Sequence, residues 1–263
     1  MGTMTLAGAM RAQQFLTQID GARADFWSTA IPMGFWAYTL PLTAIILAHE
    51  LGHIAACRRH NLDHSWPVFV PAPFPMTGTF GAFLLIKTPP QTRRALFDVG
   101  FWGPVAGFAV TVGVLLIGLD ASHAVAGKTR AFTTYRMPLV MQWISAHYID
   151  GASIIAHPTA WAGWVGLMIT SLNLLPCGQL DGGQIVSALW PKQAWRISIA
   201  TVAVVITASY LGSSWLSFGI MMLLMLPFCE WRTPALSSEP LPVRYWAFAL
   251  VAFATLALSI TPL

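Results

Sequence analysis

The hydrophobic pattern of the chain consists of long, nearly uncharged runs separated by polar connections. The runs cover residues 31–57, 99–119, 159–175, 196–211, 215–228 and 243–260. A helix needs about 20 predominantly apolar residues to cross the hydrocarbon of a bilayer. The fourth and fifth runs are short for this and are predicted to form a helical hairpin joined at residues 212–214. We predict an all-α polytopic membrane protein with about six transmembrane helices.

The connection between the first two runs breaks this helical pattern. Residues 66–86 are apolar, yet four prolines occur within nine of them. Each proline removes a backbone N–H donor and clashes with the preceding turn, so the stretch cannot be helical. Irregular backbone survives at membrane depth only where protein or a water-filled cavity shelters it. We therefore predict a re-entrant or interfacial Pro/Gly-rich loop with an extended hairpin around residues 77–81.

Composition supports a membrane location and limits the possible partners. Of the 263 residues, 56% are hydrophobic and 9% are charged, whereas soluble proteins carry about 25% charged residues. So few charges cannot cover the surface of an ordinary soluble enzyme. The net charge of +4 comes from basic residues spread along the chain without a dense patch, so no nucleic acid partner is expected. The predicted partner is the lipid bilayer, and the oligomeric state is not predicted.

Three regions are predicted along the chain. They are an N-terminal arm over residues 1–30, a transmembrane core over 31–190 and C-terminal transmembrane helices over 191–263. The arm has no long apolar run and is expected to be loose or interfacial. If the first helix ends in the cytoplasm, nine lysines and arginines lie on that side and five on the other. Because cytoplasmic loops carry an excess of positive charge, this orientation is favoured.

One motif with ionisable residues interrupts the first apolar run, namely His49-Glu50-Leu51-Gly52-His53. Histidines at positions i and i+4 lie one turn apart on one helical face and can hold one Zn²⁺ ion together. Glu50 between them can take a proton from water activated by the metal. Ionisable residues are expensive inside a transmembrane helix and usually mark function. The alternative is that the histidines pack in the bundle interior beside a neutral Glu50.

Two histidines leave a catalytic zinc site incomplete, because such a site usually has three protein ligands. His60 and His64 follow the first helix, and we expect both to be solvated loop histidines. The other histidines, His123, His147 and His157, fall in a long connection on the opposite side, for which no role is predicted.

Asp181 is a better candidate for the third ligand. It ends the third apolar run, in a segment where Pro176 and Gly178 stop a regular helix. Irregular backbone at membrane depth needs a protein-lined cavity, and a carboxylate there is either a metal ligand or half of a buried ion pair. The alternative is a helix-ending Asp-Gly-Gly turn at the interface, and spacing alone does not decide between the two.

Two motifs together resemble the site-2 protease family of intramembrane metalloproteases: His-Glu-x-x-His in one transmembrane helix and Asn-x-x-Pro-x-x-x-x-Asp-Gly in a later one. The second motif falls without a gap on Asn173, Pro176, Asp181 and Gly182. Gly-Pro-Val-Ala-Gly at residues 103–107 matches a further signature of the family. The stretches 78–83 and 94–99 are similar to the branch that lacks a PDZ domain. The resemblance covers about residues 31–190.

This resemblance implies a role for each matching residue. His49, His53 and Asp181 would bind one zinc ion per chain. Glu50 would act as general base and acid, and Asn173 would hydrogen-bond the substrate or the developing oxyanion. The loop around Gly78 to Phe83 would offer an edge strand to the unwound substrate, and its substrate-binding residues would be Gly78, Thr79, Phe80 and Gly81.

Two details of the second motif leave alternatives open. Pro176 lacks the N–H that would pair with the Leu172 carbonyl. The alternative role of Asn173 is therefore structural: its side chain would donate a hydrogen bond to that carbonyl. Cys177 and Gln184 depart from the family pattern, because an aliphatic residue and a histidine are expected at these positions. Neither departure removes a proposed ligand.

The function predicted from the resemblance is an intramembrane zinc metalloendopeptidase that cleaves membrane proteins in or near their transmembrane segments, that is, regulated intramembrane proteolysis. Along the helix, His49 lies about 12 Å from Cys57 and about 27 Å from Ile31, which favours a site near the cytoplasmic face of a multi-pass protein. Rival interpretations are a membrane metal-binding or transport protein, a catalytically silent scaffold of the same family and a histidine-rich oxygenase. Against these rivals, the other spans hold almost no ionisable residues, Glu50 is present, and seven scattered histidines are too few for the oxygenase.

Overall fold

The computed structural model describes residues 1–21, 24–72, 77–125, 137–148, 153–211 and 239–260. Its helices are α1 Gly2–Asp20, α2 Phe26–Arg59, α3 Arg93–Asp120, α4 Leu139–Tyr148, α5 Pro158–Leu174, α6 Asp181–Leu189, α7 Ala194–Leu211 and α8 Arg244–Ser259. Its strands are β1 Val68–Pro71, β2 Thr79–Phe83, β3 His123–Val125 and β4 Ser153–Ile155. The predicted run 215–228 and the connection at 212–214 lie outside the described residues.

The helices follow the apolar runs of the sequence. Within the described residues, α2 with 34 residues and α3 with 28 residues are long and apolar enough to cross a membrane. The helices α7, counted up to Ser209, and α8 are apolar but shorter. The prediction of a mainly helical chain is confirmed, with two short β-sheets added to it. The number of membrane crossings stays a prediction.

α2 is a continuous helix with two wider, π-helical turns, at Phe26–Ala30 and Phe35–Thr39. Pro41 follows the second of these turns. Because proline has no N–H, the Ala37 carbonyl loses its usual partner four residues further on. The Thr159 hydroxyl donates to that carbonyl at 2.7 Å, which ties the first turn of α5 to the middle of α2.

Glycines allow α2, α3 and α5 to pack closely. A Cβ at Gly52 on α2 would collide with the Trp102 backbone on α3, and one at Gly118 on α3 would collide with the Ala160 backbone on α5. Small residues of this kind let the backbones of apolar helices approach one another. Apolar residues of the three helices, such as Leu42, Leu115 and Val165, belong to one buried cluster.

β1 and β2 form an antiparallel sheet in the connection between α2 and α3, with Val68 opposite Phe83 and Val70 opposite Gly81. The register shifts between Val70 and Pro71, and a proline is tolerated at such an irregularity because it lacks the N–H for a regular ladder. The segment predicted to be extended around residues 77–81 is thus the turn and first half of β2, whereas its depth in a membrane stays a prediction. β3 and β4 form a second antiparallel pair, which the sequence pattern does not predict.

The N-terminal arm is not loose, because residues 2–20 form α1 and pack on α2, whereas its interfacial location stays a prediction. A Cβ at Gly8 would lie 2.5 Å from the Gly34 carbonyl oxygen, so the two helices touch through glycines. At its first turn, α1 also reaches the β1–β2 sheet, where the Thr3 hydroxyl donates to the Gly78 carbonyl at 2.7 Å. This helix therefore connects the first half of α2 with the turn that leads into β2.

Candidate metal centre

α2 presents His49 and His53 on one face, as their spacing predicts. Their Nε2 atoms lie 2.9 Å apart, and both side chains are buried. The Nδ1–H group of His53 donates to the Val99 carbonyl at 2.9 Å, since a carbonyl oxygen can only accept. Nε2 of His53, which lies beside Nε2 of His49, therefore keeps its lone pair free to bind a metal ion.

Asp181 joins the two histidines from a different helix. Its Oδ2 atom lies 3.3 Å from Nε2 of His49 and 3.5 Å from Nε2 of His53. α5 ends at Leu174, close to the predicted end of the third run at residue 175, and Asp181 is the first residue of the next helix, α6. The predicted break in the helix is present, but a new helix begins directly after it.

A tight turn over residues 175–180 determines where Asp181 lies. Gly178 has a φ of +51°, in the left-handed region that favours glycine. A Cβ at Gly182 would collide with the Leu174 carbonyl, and one at Gly183 would collide with the Gly178 carbonyl. The two glycines after Asp181 therefore let α6 fold back onto the end of α5.

The three side chains fit a zinc ion. Two imidazole nitrogens and one carboxylate oxygen, all buried, lie within 4.8 Å of one another. Zinc binds this mixture of nitrogen and oxygen donors, and catalytic zinc sites use three protein ligands and keep a fourth position for water or substrate. Across the described ranges of the chain, His49, His53 and Asp181 are the only group of three such ligands.

Two glycines of α3 make room for the imidazole rings. A Cβ at Gly103 would collide with the His53 ring, and one at Gly107 would lie 3.1 Å from Cβ of His49. In the sequence, residues 103–107 are singled out only by their resemblance to a family signature. The spacing of four between the two glycines is the additional signal that predicts a close helix contact, because it places both on one face of α3.

Glu50 lies beside the metal ligands and is almost completely buried, with 3% of its surface exposed. Its Oε2 atom has no hydrogen-bond partner among the described residues. Glu50 lines both cavities that meet at the centre. Because leaving a buried polar atom unpaired costs free energy, this carboxylate is better explained by chemistry than by structural support.

The Asn173 side chain points to the metal centre. Its amide nitrogen lies 3.3 Å from Nε2 of His49. The Leu172 carbonyl, which Pro176 leaves without its regular partner, accepts instead from the Leu175 N–H at 3.2 Å. The structural alternative for Asn173, in which it pairs with this carbonyl, is therefore not the arrangement that the molecule adopts.

Two cavities meet at the metal centre. The larger has a volume of about 620 Å³ and extends from the three ligands and Asn173 along residues 82–86. The smaller has a volume of about 70 Å³ and lies between α2, the end of α5 and residues 80–83. Cys177 lines the smaller cavity and Gln184 lines the larger one, so both departures from the family pattern face this site.

The predicted strand residues divide into two groups. Phe80 and Gly81 line the smaller cavity, whereas Gly78 and Thr79 line neither cavity. The Thr79 hydroxyl donates to the Val70 carbonyl at 2.9 Å and thus belongs to the sheet itself. Residues 82–86 line the larger cavity, and of these the sequence motifs do not single out residues 84–86.

His60, His64 and His157 lie away from the three ligands. The prediction of a solvated His60 is wrong: its Nε2–H group donates to the buried Asp98 carboxylate at 2.7 Å, because α3 returns alongside the end of α2. His64 is half-buried, with Nδ1 2.8 Å from the Ser65 carbonyl. His157 accepts the Thr159 N–H at the start of α5, at 3.3 Å.

Two buried histidines and a buried aspartate, with a glutamate beside them, form a candidate metal centre, and the His-Glu-x-x-His spacing on α2 is typical of metallopeptidases. The chain matches the sequence profile of peptidase family M50 over residues 37–212. It belongs to this family, the site-2 protease family, and the resemblance seen in its motifs is confirmed.

Its relatives include chloroplast proteins of plants. The probable zinc metalloprotease EGY2 of Arabidopsis thaliana is 30% identical over 200 residues, which are 72% of this chain and 36% of that protein. The probable zinc metalloprotease EGY1 of the same plant is 29% identical over 248 residues, 90% of this chain and 43% of that protein. The chain thus spans less than half the length of these relatives. No solved structure matches it.

Proposed function

We propose that the chain is an intramembrane zinc metalloendopeptidase that hydrolyses peptide bonds in or near transmembrane segments of membrane proteins, as in regulated intramembrane proteolysis. The observation that carries this proposal is the convergence of His49, His53 and Asp181 beside the Glu50 carboxylate, whose Oε2 has no partner in the described residues. Membership in peptidase family M50 and the zinc metalloprotease names of the relatives support the same activity.

One zinc ion per chain would be held by Nε2 of His49, Nε2 of His53 and Oδ2 of Asp181. When bound, zinc supplies Lewis-acid polarisation of a peptide carbonyl and makes water more acidic. The Val99 carbonyl keeps the His53 ring in the orientation that this binding requires.

Glu50 supplies the general base. Its Oε2 atom accepts the proton of the water that attacks the scissile carbonyl carbon. The same carboxyl group returns this proton to the amide nitrogen as the C–N bond breaks, so that one residue serves both steps. A general base of this kind typically contributes about 10²- to 10⁴-fold to the rate.

Asn173 stabilises the negative charge that develops on the carbonyl oxygen. Its amide nitrogen already lies 3.3 Å from Nε2 of His49, so it is close to the position where a scissile carbonyl would bind. An amide N–H directed at a developing oxyanion is worth roughly 3 kcal/mol in comparable hydrolases.

β2 binds the substrate as an added strand. A transmembrane helix must unwind locally before its carbonyl can be attacked, and pairing with a strand edge replaces the hydrogen bonds that are lost. In the described part of the chain, β2 pairs with β1 alone, and residues 80–83 line the cavity beside Glu50. The substrate strand would contact Phe80, Gly81 and Phe83. Gly78 and Thr79 would support the turn that leads into β2.

The proposed location is a multi-pass protein whose active site lies nearer the cytoplasmic face. His49 lies ten residues before Arg59, the end of α2, or about 15 Å along the helix axis. The larger cavity extends from the ligands along residues 82–86, towards the connection that follows α2. The excess of basic residues on that side supports a cytoplasmic end for α2.

The test uses purified protein in detergent micelles and synthetic single-span peptides, with cleavage sites determined by mass spectrometry. Glu50→Gln keeps the shape of the side chain but cannot take a proton, so it should retain zinc and lose cleavage by at least about 10²-fold. A zinc chelator should abolish cleavage by the wild type. Glu239→Gln, which changes an exposed glutamate, is the matched control and should cleave normally. Normal cleavage by Glu50→Gln would contradict the proposed mechanism.

The rival functions make different predictions in the same experiment. A metal transporter needs further ion sites along its path, and the part of the chain that the structure describes contains one group of three ligands. A silent scaffold would bind zinc but cleave no peptide under any condition. Detection of chelator-sensitive fragments would exclude both.

A further inference from the structure

Asp98 is a buried carboxylate that the proposed hydrolysis does not use. It lies near the start of α3 and is 2% exposed. Aspartates are almost never fully buried unless they are paired. The partners of Asp98 therefore indicate what this residue does.

The Asp98 carboxylate connects the ends of three helices. The Nε2–H group of His60, at the C-terminal end of α2, donates to Oδ2 at 2.7 Å. The Tyr245 hydroxyl, in the first turn of α8, donates to the same oxygen at 3.4 Å. The short distance to His60 is typical of a charge-assisted hydrogen bond, which makes this the stronger of the two contacts.

This cluster continues the contact that holds the metal ligands. α2 and α3 run antiparallel, so His49 meets Gly107, His53 meets Gly103, and His60 then meets Asp98. The residue after Asp98 is Val99, whose carbonyl accepts the Nδ1–H of His53. A shift of α3 along α2 would therefore alter the hydrogen bond behind a metal ligand.

We propose that His60 and Asp98 are positioning residues for the metal centre. Their pair fixes the register of α2 against α3, which keeps the Val99 carbonyl on Nδ1 of His53 and Nε2 directed towards zinc. Groups behind metal-binding histidines typically change metal affinity by about 10- to 100-fold. The inference rests on the zinc site of the proposed function but not on peptide hydrolysis.

The experiment measures zinc affinity by competition with a chromogenic chelator and records the absorption spectrum of the Co²⁺-loaded protein. Asp98→Asn keeps the shape but removes the charge, and we expect about 10-fold weaker zinc binding and a shifted Co²⁺ spectrum. Asp98→Ala should weaken zinc binding by up to about 100-fold. The exchange variant, His60→Asp with Asp98→His, restores a pair and should recover part of the affinity. Asp63→Asn, an exposed aspartate in the neighbouring loop, is the matched control.

The outcomes separate positioning from simple support of the fold. Weaker zinc binding with a shifted Co²⁺ spectrum in Asp98→Asn supports the inference. Wild-type affinity and spectrum overturn it, as does a lower Tm with an unchanged spectrum, because the pair would then be purely structural. If Asp98→Ala does not fold, Asp98→Asn decides alone. Wild-type protein that binds zinc but cleaves no peptide would contradict the proposed function and leave this inference standing.

Discussion

The metal centre and the β1–β2 sheet face the same cavities, but they are held in different ways. The ligands come from helices that touch through glycines, and His53 has a backbone carbonyl behind its ring. β2 is anchored at its turn, where Thr3 donates to the Gly78 carbonyl at 2.7 Å and Tyr38 donates to the Thr77 carbonyl at 3.0 Å. Beyond the turn it pairs on one edge with β1 within the described residues.

This difference corresponds to two different tasks. Metal ligands act only when they are held close to one geometry, which requires support from several sides. A strand that pairs with substrates of different sequence needs an accessible edge and a fixed end. We therefore expect substitutions of residues that support the metal ligands to change zinc binding, and substitutions at the β2 turn to change substrate binding.

The largest effect on zinc binding is expected for Gly103→Ala. The new methyl group would collide with the His53 ring, so we expect roughly 100-fold weaker zinc binding and a corresponding loss of cleavage. Helix propensity alone would favour alanine by about 1 kcal/mol. Gly113→Ala on the same helix is the control, because no atom lies within 4 Å of its Cβ position. Equal zinc affinity in both variants would contradict the proposed contact.

Asn173→Ala tests the side of the centre that faces the substrate. We expect zinc affinity and Tm to stay at wild-type values while kcat falls by about 10²- to 10³-fold, because an oxyanion donor acts in the transition state. Zinc titration, thermal unfolding and peptide cleavage measure the three quantities on one preparation. A parallel loss of zinc, stability and activity would instead make Asn173 a support for the break after α5.

The smallest effect is expected for Thr3→Val, which removes the hydroxyl that holds the Gly78 carbonyl. One neutral hydrogen bond contributes about 1 kcal/mol, so KM should rise about fivefold while kcat and zinc affinity stay unchanged. Thr5→Val is the control, since the Thr5 hydroxyl bonds within α1 to the Met1 carbonyl at 3.2 Å. A fall in kcat or in zinc content would show that the turn supports the metal centre after all.

Several parts of the fold could be predicted because the signal is local. Apolar runs predict α2 and α3 since membrane helices must be long and uncharged. The i, i+4 spacing predicts the shared face of His49 and His53 because it depends only on helix geometry. Asp181 required the resemblance to a family, since its spacing alone left a turn at the interface as an equal alternative.

The parts that could not be predicted depend on contacts between distant residues. His60 follows a helix end, a position that predicts a solvated side chain. In the structure, α3 brings the Asp98 carboxylate within 2.7 Å of it. Glycine contacts between α2 and α3 accompany this pairing, and no short window of sequence contains both sides of such a contact. The ordered α1 is missed for the same reason, because its helix is held by packing on α2 rather than by a long apolar run.

Changes in the length of α2 have different consequences on the two sides of its π-helical turn at Phe35–Thr39. A hydrogen bond from i to i+5 closes a turn that holds one residue more than an α-helical turn. Loss of one residue within this turn leaves a regular helix, with Gly34 still facing α1 and His49 still facing Asp181. The same loss between residues 40 and 49 would rotate the histidines by about 100° relative to the N-terminal half. The π-helical turn therefore lets α2 lose one residue while the half that carries the metal ligands keeps its orientation relative to the N-terminal half.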